Sequence, residues 1–288
     1  MLTPSSALSY VSPSMPLPKR AFLVALEAAF GIRQANRRYA RWQAEMAGQR
    51  DRAMNLLLDA CDIALRVDAR QWPLQRAEGR PLIMVANHPF GIPDGVAILA
   101  LAEQLGRPAR ILINNDLLRV PEMAAYALPI DFSETKEALR TNLESRKAAL
   151  ACLARGETLV VFPSGGIATA PHPFARARDL PWKLFTAKLV HQARADVLPV
   201  FFEGQNSPLF HAASRVSMFL RLSLIVPEAV QRIGRPIDVR IGSVIPYEQL
   251  APVTDRQALT TLLYDCVLAL HRGAGQVLAG FAPAPLPA

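Results

Sequence analysis

The chain has 288 residues, of which 32 are Lys or Arg and 24 are Asp or Glu, giving a formal net charge of +8. This length is enough for one sizeable hydrophobic core, and the basic surplus favours an anionic partner such as a nucleic acid, a lipid surface or an acidic carrier protein. Nothing resembles a nucleic-acid-binding motif, and no apolar run reaches the roughly 18 residues of a membrane-spanning helix. The composition therefore predicts a protein that works at an anionic surface without crossing a bilayer.

Residues 1–18 lack the basic start and apolar stretch of a signal peptide and are predicted to form a disordered lead-in. Residues 19–75 are predicted to form N-terminal helices that face a membrane. In the first helix, Lys19 to Trp42, apolar residues recur at steps of four and arginines continue the row: Phe22, Leu26, Phe30, Arg33, Arg37 and Arg41. Such a row suits a membrane interface, where apolar side chains enter the acyl region and arginines meet phosphates. A solvated basic face on a packed helix is the alternative.

A second helix is predicted to have an apolar face made of Met54, Leu57, Leu58, Cys61 and Leu65, followed by a polar linker over residues 71–80. One domain is predicted over residues 76–275, and residues 276–288 form a tail. Strands at 110–114, 157–161, 197–202 and 239–245 alternate with helices at 134–153, 181–194 and 255–273. This alternation predicts a single α/β domain with a mostly parallel central sheet flanked by helices. The three cysteines lie in apolar helical patterns, which indicates core packing and a reducing compartment, with no metal-ligand spacing.

The most informative segment is PLIMVANHPFGIPDG, residues 81–95. Its apolar first half predicts a strand buried on both faces, and the strand runs into a loop that holds His88 and Asp94. A histidine can take a proton near neutral pH, and a carboxylate can fix its tautomer and stabilise the imidazolium. His88 is therefore a candidate general base with Asp94 as its orienting partner, and Gly91 allows close backbone approach. A turn that happens to contain a histidine is the alternative.

Two further predicted strands each end in a polar loop that contains glycine. The strand ending at Val161 runs into FPSGGIAT, residues 162–169, whose small residues expose backbone N–H groups suited to an oxyanion. Candidate contacts in this loop are Ser164, Gly165 and Gly166. The strand within VLPVFFEG ends at Glu203, another candidate substrate contact. Because such loops share one edge of an α/β sheet, we expect them to form one ligand site.

Together these segments resemble the glycerolipid acyltransferases, which transfer a fatty acyl group to a lysophospholipid or a related lipid alcohol. NHPFGIPDG resembles the family's first motif, FPSGG its third and VLPVFFEG its fourth, in matching order and spacing. Five residues separate His88 from Asp94 instead of the usual four, and Ser164 replaces the usual glutamate. These departures, with DLPWK at 179–183 and the segments at 201–210 and 235–246, are similar to the branch of hemolysin-like and ornithine-lipid-type acyltransferases.

The resemblance also bears on the acceptor. Where the family's second motif ends with an arginine that holds glycerol phosphate, the stretch over residues 117–131 ends in Asp131. An acidic residue there would repel a phosphate, so the resemblance implies a lyso-aminolipid such as lyso-ornithine lipid as the acceptor. Lysophosphatidic acid, the acceptor of 1-acylglycerol-3-phosphate acyltransferases, is the alternative.

By resemblance, the reaction is O-acyl transfer in which His88 takes the proton of the acceptor hydroxyl. The donor is an acyl thioester of acyl carrier protein or coenzyme A, used as a co-substrate, and no further cofactor or metal is expected. Asn87 fixes the loop or binds the acceptor. Arg176, Arg178 and Lys183 hold a phosphate of the donor or an acidic head group, unless they are merely solvated. The expected location is peripheral, on the cytoplasmic side of a bacterial inner membrane.

Two functions of other classes stay open. In a serine esterase or thioesterase Ser164 would be the nucleophile, but Phe162 occupies the first glycine position of the Gly-x-Ser-x-Gly elbow. In a non-catalytic lipid-binding protein, the missing glutamate and arginine would mark lost activity. The retention of both His88 and Asp94 argues against that interpretation.

Overall fold

The structure, a computed structural model, describes residues 11, 14–70, 72–74, 80–114, 120–131 and 135–271. The predicted tail at 276–288 lies outside these residues. Most of the predicted lead-in and of the polar linker at 71–80 lies outside them as well.

A single sheet of seven strands organises the described chain, in the order β1-β7-β6-β2-β5-β3-β4. The strands are β1 (Leu65–Ala69), β2 (Leu82–Ala86), β3 (Ala109–Asn114), β4 (Ala127–Ile130), β5 (Thr158–Val161), β6 (Asp196–Phe202) and β7 (Ile237–Ile241). All neighbouring strands are parallel except β6 and β7. Strands β2 to β6 therefore end at one edge of the sheet, and the predicted mostly parallel α/β fold is confirmed.

Helices cover both faces of this sheet. They are α1 (Leu17–Ala29), α2 (Ile32–Met46), α3 (Ala53–Ala60), α4 (Ile92–Glu103), α5 (Lys136–Ala154), α6 (Phe185–Ala193), α7 (Pro208–Val216), α8 (Met218–Gln231), α9 (Tyr247–Leu250) and α10 (Arg256–His271). Alternate residues of the central strand β2 enter different cores: Met84 packs with α2, α3 and α4, whereas Val85 packs with α5, α6 and α10. Burial on both faces explains why β2 is a continuous apolar run.

The N-terminal segment differs from the prediction. It forms two helices instead of one, because Gly31 adopts a left-handed conformation with φ of +71° between α1 and α2. The row of apolar residues and arginines therefore does not continue along one helix face. The predicted second helix ends at Ala60, where Asp62 is left-handed and the Ile63 N–H donates to the Leu58 carbonyl. Leu65 begins the edge strand β1 instead of ending that helix.

Several elements have no counterpart in the sequence prediction: the edge strands β1 and β4 and the helices α7, α8 and α9. Helix α8 packs beside α1, α2 and α4, so it stands at the same end of the molecule as the loop after β2. No helix in the described residues is both long and apolar enough to span a bilayer. The three cysteines are free, and Cys152 and Cys266 are buried.

Candidate active site

His88 and Asp94 contact each other across the loop that joins β2 to α4. The His88 Nδ1 atom lies 3.0 Å from Asp94 Oδ2, and the same oxygen accepts hydrogen bonds from the N–H groups of Phe90 (2.7 Å) and Gly91 (2.9 Å). Asp94 is fully buried, whereas the His88 side chain is 16% exposed. Because Nδ1 faces the carboxylate, Nε2 is the ring nitrogen left for a substrate.

The start of α4 explains how Asp94 returns to His88. Gly91 is the N-cap of the helix, with φ of +89°, and Asp94 is its third residue and accepts the N-cap N–H. A carboxylate at this position satisfies an unpaired donor of the first turn and is stabilised by the helix dipole. The spacing between His88 and Asp94 is therefore set by one loop plus the first turn of a helix.

Residues from a neighbouring strand end hold His88 from the other side. The imidazole stacks on the Phe162 ring, with centroids 4.0 Å apart, and the His88 carbonyl accepts the Ala168 N–H at 2.7 Å. The His88 N–H donates to Asp179 Oδ1 at 3.0 Å, while Asp179 Oδ2 accepts the Trp182 indole N–H at 2.9 Å. Burial raises the pKa of Asp179, and these two hydrogen bonds oppose that shift. The general base candidate is thus fixed by backbone as well as by its ring.

The underside of the His88 loop is closed by Phe90. Its ring is buried and lies 4.1 Å from the Arg232 guanidinium. Burial lowers the pKa of Arg232, and the negative charge of Asp94 opposes this. Gly204 leaves no room for a side chain, because a Cβ there would lie 2.6 Å from Phe90 Cζ. The glycine that ends VLPVFFEG therefore supports the loop that carries the His–Asp pair.

A cleft of about 1810 Å³ opens in front of His88. Its walls come from the loops after β2 and β5, from α1, from the segment 169–186 and from α7 and α8. Eight of the residues predicted from sequence line it: His88, Gly91, Ser164, Gly165, Gly166, Arg176, Arg178 and Lys183. Asp131 lines it as well, and Asp94 lies behind His88.

Two residues expected to contact substrate lie elsewhere. The Asn87 amide is engaged with the end of β6, donating to the Phe202 carbonyl (2.9 Å) and accepting its N–H (2.7 Å). Of the two roles that the sequence suggests for Asn87, fixing the loop and binding the acceptor, these contacts favour the first. Glu203 contacts His271 Nδ1 at 2.9 Å and Arg240 at 3.8 Å, away from the cleft. Glu203 therefore does not line the cleft as the sequence predicted, because its N–H donates to the Asp238 carbonyl and the chain turns toward β7.

Two hydrogen-bond donors of the FPSGG turn are already engaged within the turn. Ser164 is 2% exposed and its hydroxyl donates to the Gly166 carbonyl at 2.9 Å. The Gly165 N–H donates to the Phe162 carbonyl at 3.0 Å. Of the two glycine N–H groups expected to face an oxyanion, Gly166 is therefore the better candidate.

The predicted cations are exposed, but the sequence analysis missed a half-buried one. Arg176, Arg178 and Lys183 are all exposed at the cleft, and partial burial lowers the pKa of Lys183. Arg221 of α8 also lines the cleft and is half-buried. Its isolation within the apolar run MFLRLSLIV, residues 218–226, was the signal that could have identified it. A lone charge in an apolar helix is costly unless something faces it.

A mostly parallel α/β sheet with a buried His–Asp pair and a small-residue turn in one deep cleft defines a class of protein equipped for general-base chemistry. The chain belongs to the Acyltransferase family, whose sequence model matches residues 57–245. The predicted resemblance to the glycerolipid acyltransferases is confirmed.

Individual relatives agree with the family assignment. Proteins named lyso-glycine lipid O-acyltransferase from Phocaeicola vulgatus and Bacteroides thetaiotaomicron are each 27% identical over 175 residues, 57% of this chain. The match covers 59% and 60% of those proteins, so the chain spans about three fifths of the length of these curated relatives. The crystal structure of the 1-acyl-sn-glycerophosphate (LPA) acyltransferase PlsC from Thermotoga maritima is similar, with a TM-score of 0.50 and 13% identity. The similarity covers 90% of this chain and 99% of that one and concerns the fold.

We expect Gly91→Ala to destabilise the protein and to impair the His–Asp pair. A Cβ at Gly91 would lie 2.6 Å from Ile167 Cδ1, and the φ of +89° is strained for any side chain. The backbone strain costs about 1–3 kcal/mol, and overpacking adds about 1 kcal/mol or more. Urea unfolding measures this loss in the free energy of unfolding.

Gly48→Ala is the matched control, because Gly48 has φ of +95° and a Cβ added there would have nothing within 4 Å. Ile167→Val removes Cδ1. In the Gly91→Ala background it should therefore recover the part of the unfolding free energy that is lost to the contact with Ile167. Equal destabilisation by Gly91→Ala and Gly48→Ala would contradict the proposed contact with Ile167.

Proposed function

We propose that the protein is an O-acyltransferase that moves a fatty acyl group from a thioester to the hydroxyl of a lyso-lipid with an amino-acid head group. The observation that carries this proposal is the His88–Asp94 pair at the wall of the cleft, with Asp94 Oδ2 also held by two backbone N–H groups. The family match and the names of the two relatives support the reaction class. Those names favour lyso-glycine lipid as an acceptor beside lyso-ornithine lipid.

The acceptor hydroxyl donates its proton to His88 Nε2 as its oxygen attacks the thioester carbonyl carbon. Asp94 stabilises the imidazolium that forms, and the Gly166 N–H donates to the oxyanion on the carbonyl oxygen. When the intermediate collapses, the C–S bond breaks and the thiolate takes the proton from the imidazolium. The products are the acylated lipid and the free thiol of acyl carrier protein or coenzyme A. The path has no acyl-enzyme and uses no bound cofactor.

The size of the cleft suits two lipid substrates. At about 1810 Å³ it exceeds the roughly 300–1,000 Å³ typical of small-molecule pockets. Apolar residues from the strand ends, from the segment 120–130 and from α1 and α8 line it, including Ile111, Ile113, Met123, Leu23 and Ile225. Such walls accommodate acyl chains, while His88 stands where a hydroxyl and a thioester would meet.

The esterase alternative is less compatible with the site. Ser164 is buried and its hydroxyl donates to the Gly166 carbonyl within its own turn. A serine nucleophile needs its oxygen exposed to the substrate and bonded to a base. Nothing in the described contacts of Ser164 provides that base.

Peripheral attachment to the cytoplasmic face of the inner membrane completes the proposal. Exposed apolar side chains gather near the cleft mouth, on α1 (Leu17 and Phe22), on the 169–186 segment (Phe174) and at the α7–α8 junction (Val216 and Met218). We define Phe174, Val216 and Met218 as the apolar rim. Exposed cations flank it, among them Lys19, Arg176, Arg178 and Arg215. This combination of apolar and basic side chains suits an anionic lipid surface.

His88→Ala should abolish acyl transfer while leaving the fold intact, because the base has no substitute. Asp94→Asn should lose about 10²- to 10⁴-fold in kcat/KM, the contribution of general-base catalysis. Ser164→Ala is the control and should retain activity. Near wild-type rates for His88→Ala would contradict the assignment. Loss of activity in Ser164→Ala, together with a trapped acyl-serine, would favour the hydrolase.

The acceptor is tested by assaying the purified protein with lyso-glycine lipid, lyso-ornithine lipid and lysophosphatidic acid at one donor concentration. We expect kcat/KM to be higher for the aminolipids, because Asp131 lines the cleft and repels a phosphate monoester, with nearly two negative charges, more than a singly charged carboxylate. Asp131→Asn should raise the relative turnover of lysophosphatidic acid. If the wild type prefers lysophosphatidic acid, the aminolipid acceptor is wrong and the protein would be assigned to phospholipid synthesis.

Vesicle flotation tests the membrane surface. Changing the apolar rim to serine should release the protein from vesicles that contain anionic lipid, because it removes the side chains that enter the acyl region. Changing Arg33, Arg37 and Arg41 to glutamine should weaken binding only at low salt, by about 1 kcal/mol per arginine at most. Arg41 should contribute least, because its guanidinium pairs with Glu45 at 2.6 Å.

The control for the rim is the pair Leu139→Ser and Leu143→Ser on α5, two exposed leucines that do not line the cleft. Full vesicle binding by the rim variant would place membrane contact elsewhere. If the rim and control variants are released from the vesicles equally, the release reflects a general loss of surface hydrophobicity and not the position of the rim.

A further inference from the structure

Arg221 is the feature of the cleft that the proposed mechanism leaves unused. It lies on α8, half-buried, and lines the cleft. Its Nη2 donates to the Ile167 carbonyl at 2.7 Å, and its guanidinium carbon lies 5.2 Å from the centroid of the Phe210 ring. These contacts fix the side chain in place. A guanidinium has five N–H donors, so this arrangement leaves donors for a ligand.

The charge of Arg221 is not balanced by an acidic side chain in the part of the chain that the structure describes. Within the described residues it forms no ion pair, and burial lowers the pKa of Arg221 without an opposing carboxylate. Taking a cation out of water is unfavourable unless an anion faces it. Asp179, an acid that also lines the cleft, is occupied by the His88 N–H and the Trp182 indole. An anion on a bound substrate would supply the missing charge.

Burial distinguishes Arg221 from the other cations of the cleft. Arg176, Arg178 and Lys183 are exposed, and Arg215 is exposed and donates to the Pro171 carbonyl. Water screens exposed charges, whereas a half-buried guanidinium attracts an anion more strongly in its lower local dielectric. Arg221 is therefore the cation from which the strongest and most specific anion contact is expected.

Arg221 is also connected to the general base through two adjacent residues. It donates to the carbonyl of Ile167, and the next residue, Ala168, donates its N–H to the His88 carbonyl at 2.7 Å. Arg221 and His88 therefore contact the same short segment, residues 167–168, of the cleft wall. A single acceptor molecule can present its hydroxyl to His88 and its charged end to Arg221.

We propose that Arg221 binds the carboxylate of the acceptor's amino-acid head group through charge-assisted hydrogen bonds, an assignment that rests on the proposed function. An amino acid joined to a lipid through its amine keeps a free carboxylate, so glycine and ornithine head groups share this chemistry. The phosphates of phosphopantetheine in the donor are a second source of anionic oxygen. Separate kinetics for the acceptor and the donor distinguish the two sources.

The experiment compares two acceptors, lyso-glycine lipid and its uncharged glycinamide analogue, in the wild type and in Arg221→Gln and Arg221→Met. The wild type should prefer the carboxylate acceptor by about 10- to 100-fold in kcat/KM, the range of a hydrogen bond to a charged group. Both variants should reduce this preference to near unity, through a raised KM for the carboxylate acceptor and an unchanged KM for the donor. Thermal unfolding checks that the variants are folded.

Arg146→Gln is the matched control, because Arg146 is a half-buried arginine on α5 that donates to Gln192 and does not line the cleft. It should behave as the wild type. Glutamine retains an N–H donor, whereas methionine has none, so a residue that only supports this loop would tolerate Arg221→Gln better than Arg221→Met. Arg221→Met would then lose activity equally on both acceptors.

An equal loss of activity on both acceptors in Arg221→Met, with a smaller loss in Arg221→Gln, would overturn the proposal. A carboxylate preference that survives in both variants would also overturn it. A raised KM for the donor with an unchanged acceptor preference would assign Arg221 to the donor's phosphates and overturn it too. A wild type that acylates neither acceptor would instead refute the proposed function, and the assignment of Arg221 with it. Activity on both acceptors without any preference would overturn only the role of Arg221.

Discussion

One carboxylate oxygen, Asp94 Oδ2, organises the catalytic end of the molecule. It accepts the N–H groups of Phe90 and Gly91 and faces His88 Nδ1, so one atom fixes the loop backbone, the helix start and the imidazole. A fully buried carboxylate is tolerable only with such compensation. The loop residues just before α4 supply the donors, and the Arg232 guanidinium, stacked on Phe90, adds a positive charge nearby.

This constraint explains which residues around the loop are small or aromatic. Gly91 and Gly204 leave no room for a Cβ, because Ile167 and Phe90 fill the space beside them. The His88 imidazole rests on Phe162 from the next strand, and its backbone is tied to the 162–169 loop. Loops that are far apart in sequence therefore form one connected wall, which would hold the proposed general base in a fixed orientation before any substrate arrives.

Local patterns were enough to predict the centre of this arrangement. Strands such as β2 and β5 are continuous apolar runs because both sheet faces are covered, and the polar loops after them mark the shared edge of the sheet. The pairing of His88 with Asp94 followed from loop length and side-chain chemistry. The break at Gly31 was missed because the helical spacing of apolar and basic residues continues across this glycine, so the sequence does not reveal its left-handed conformation. The edge strand β1 was missed because the short segment LRVDA carries a weak periodic signal.

The residues proposed to select a substrate were harder to predict than those proposed to carry the reaction. Arg221 reaches the cleft from α8, a helix that no local pattern located, whereas Asp131, just after β4, was identified only through the family resemblance. Glu203 shows the opposite error, since a polar residue at a strand end was assumed to face the cleft but turns toward β7. Catalytic geometry is encoded within one loop and one helix turn. The proposed head-group contact depends on which distant helix covers the cleft, and that depends on tertiary packing of the whole domain.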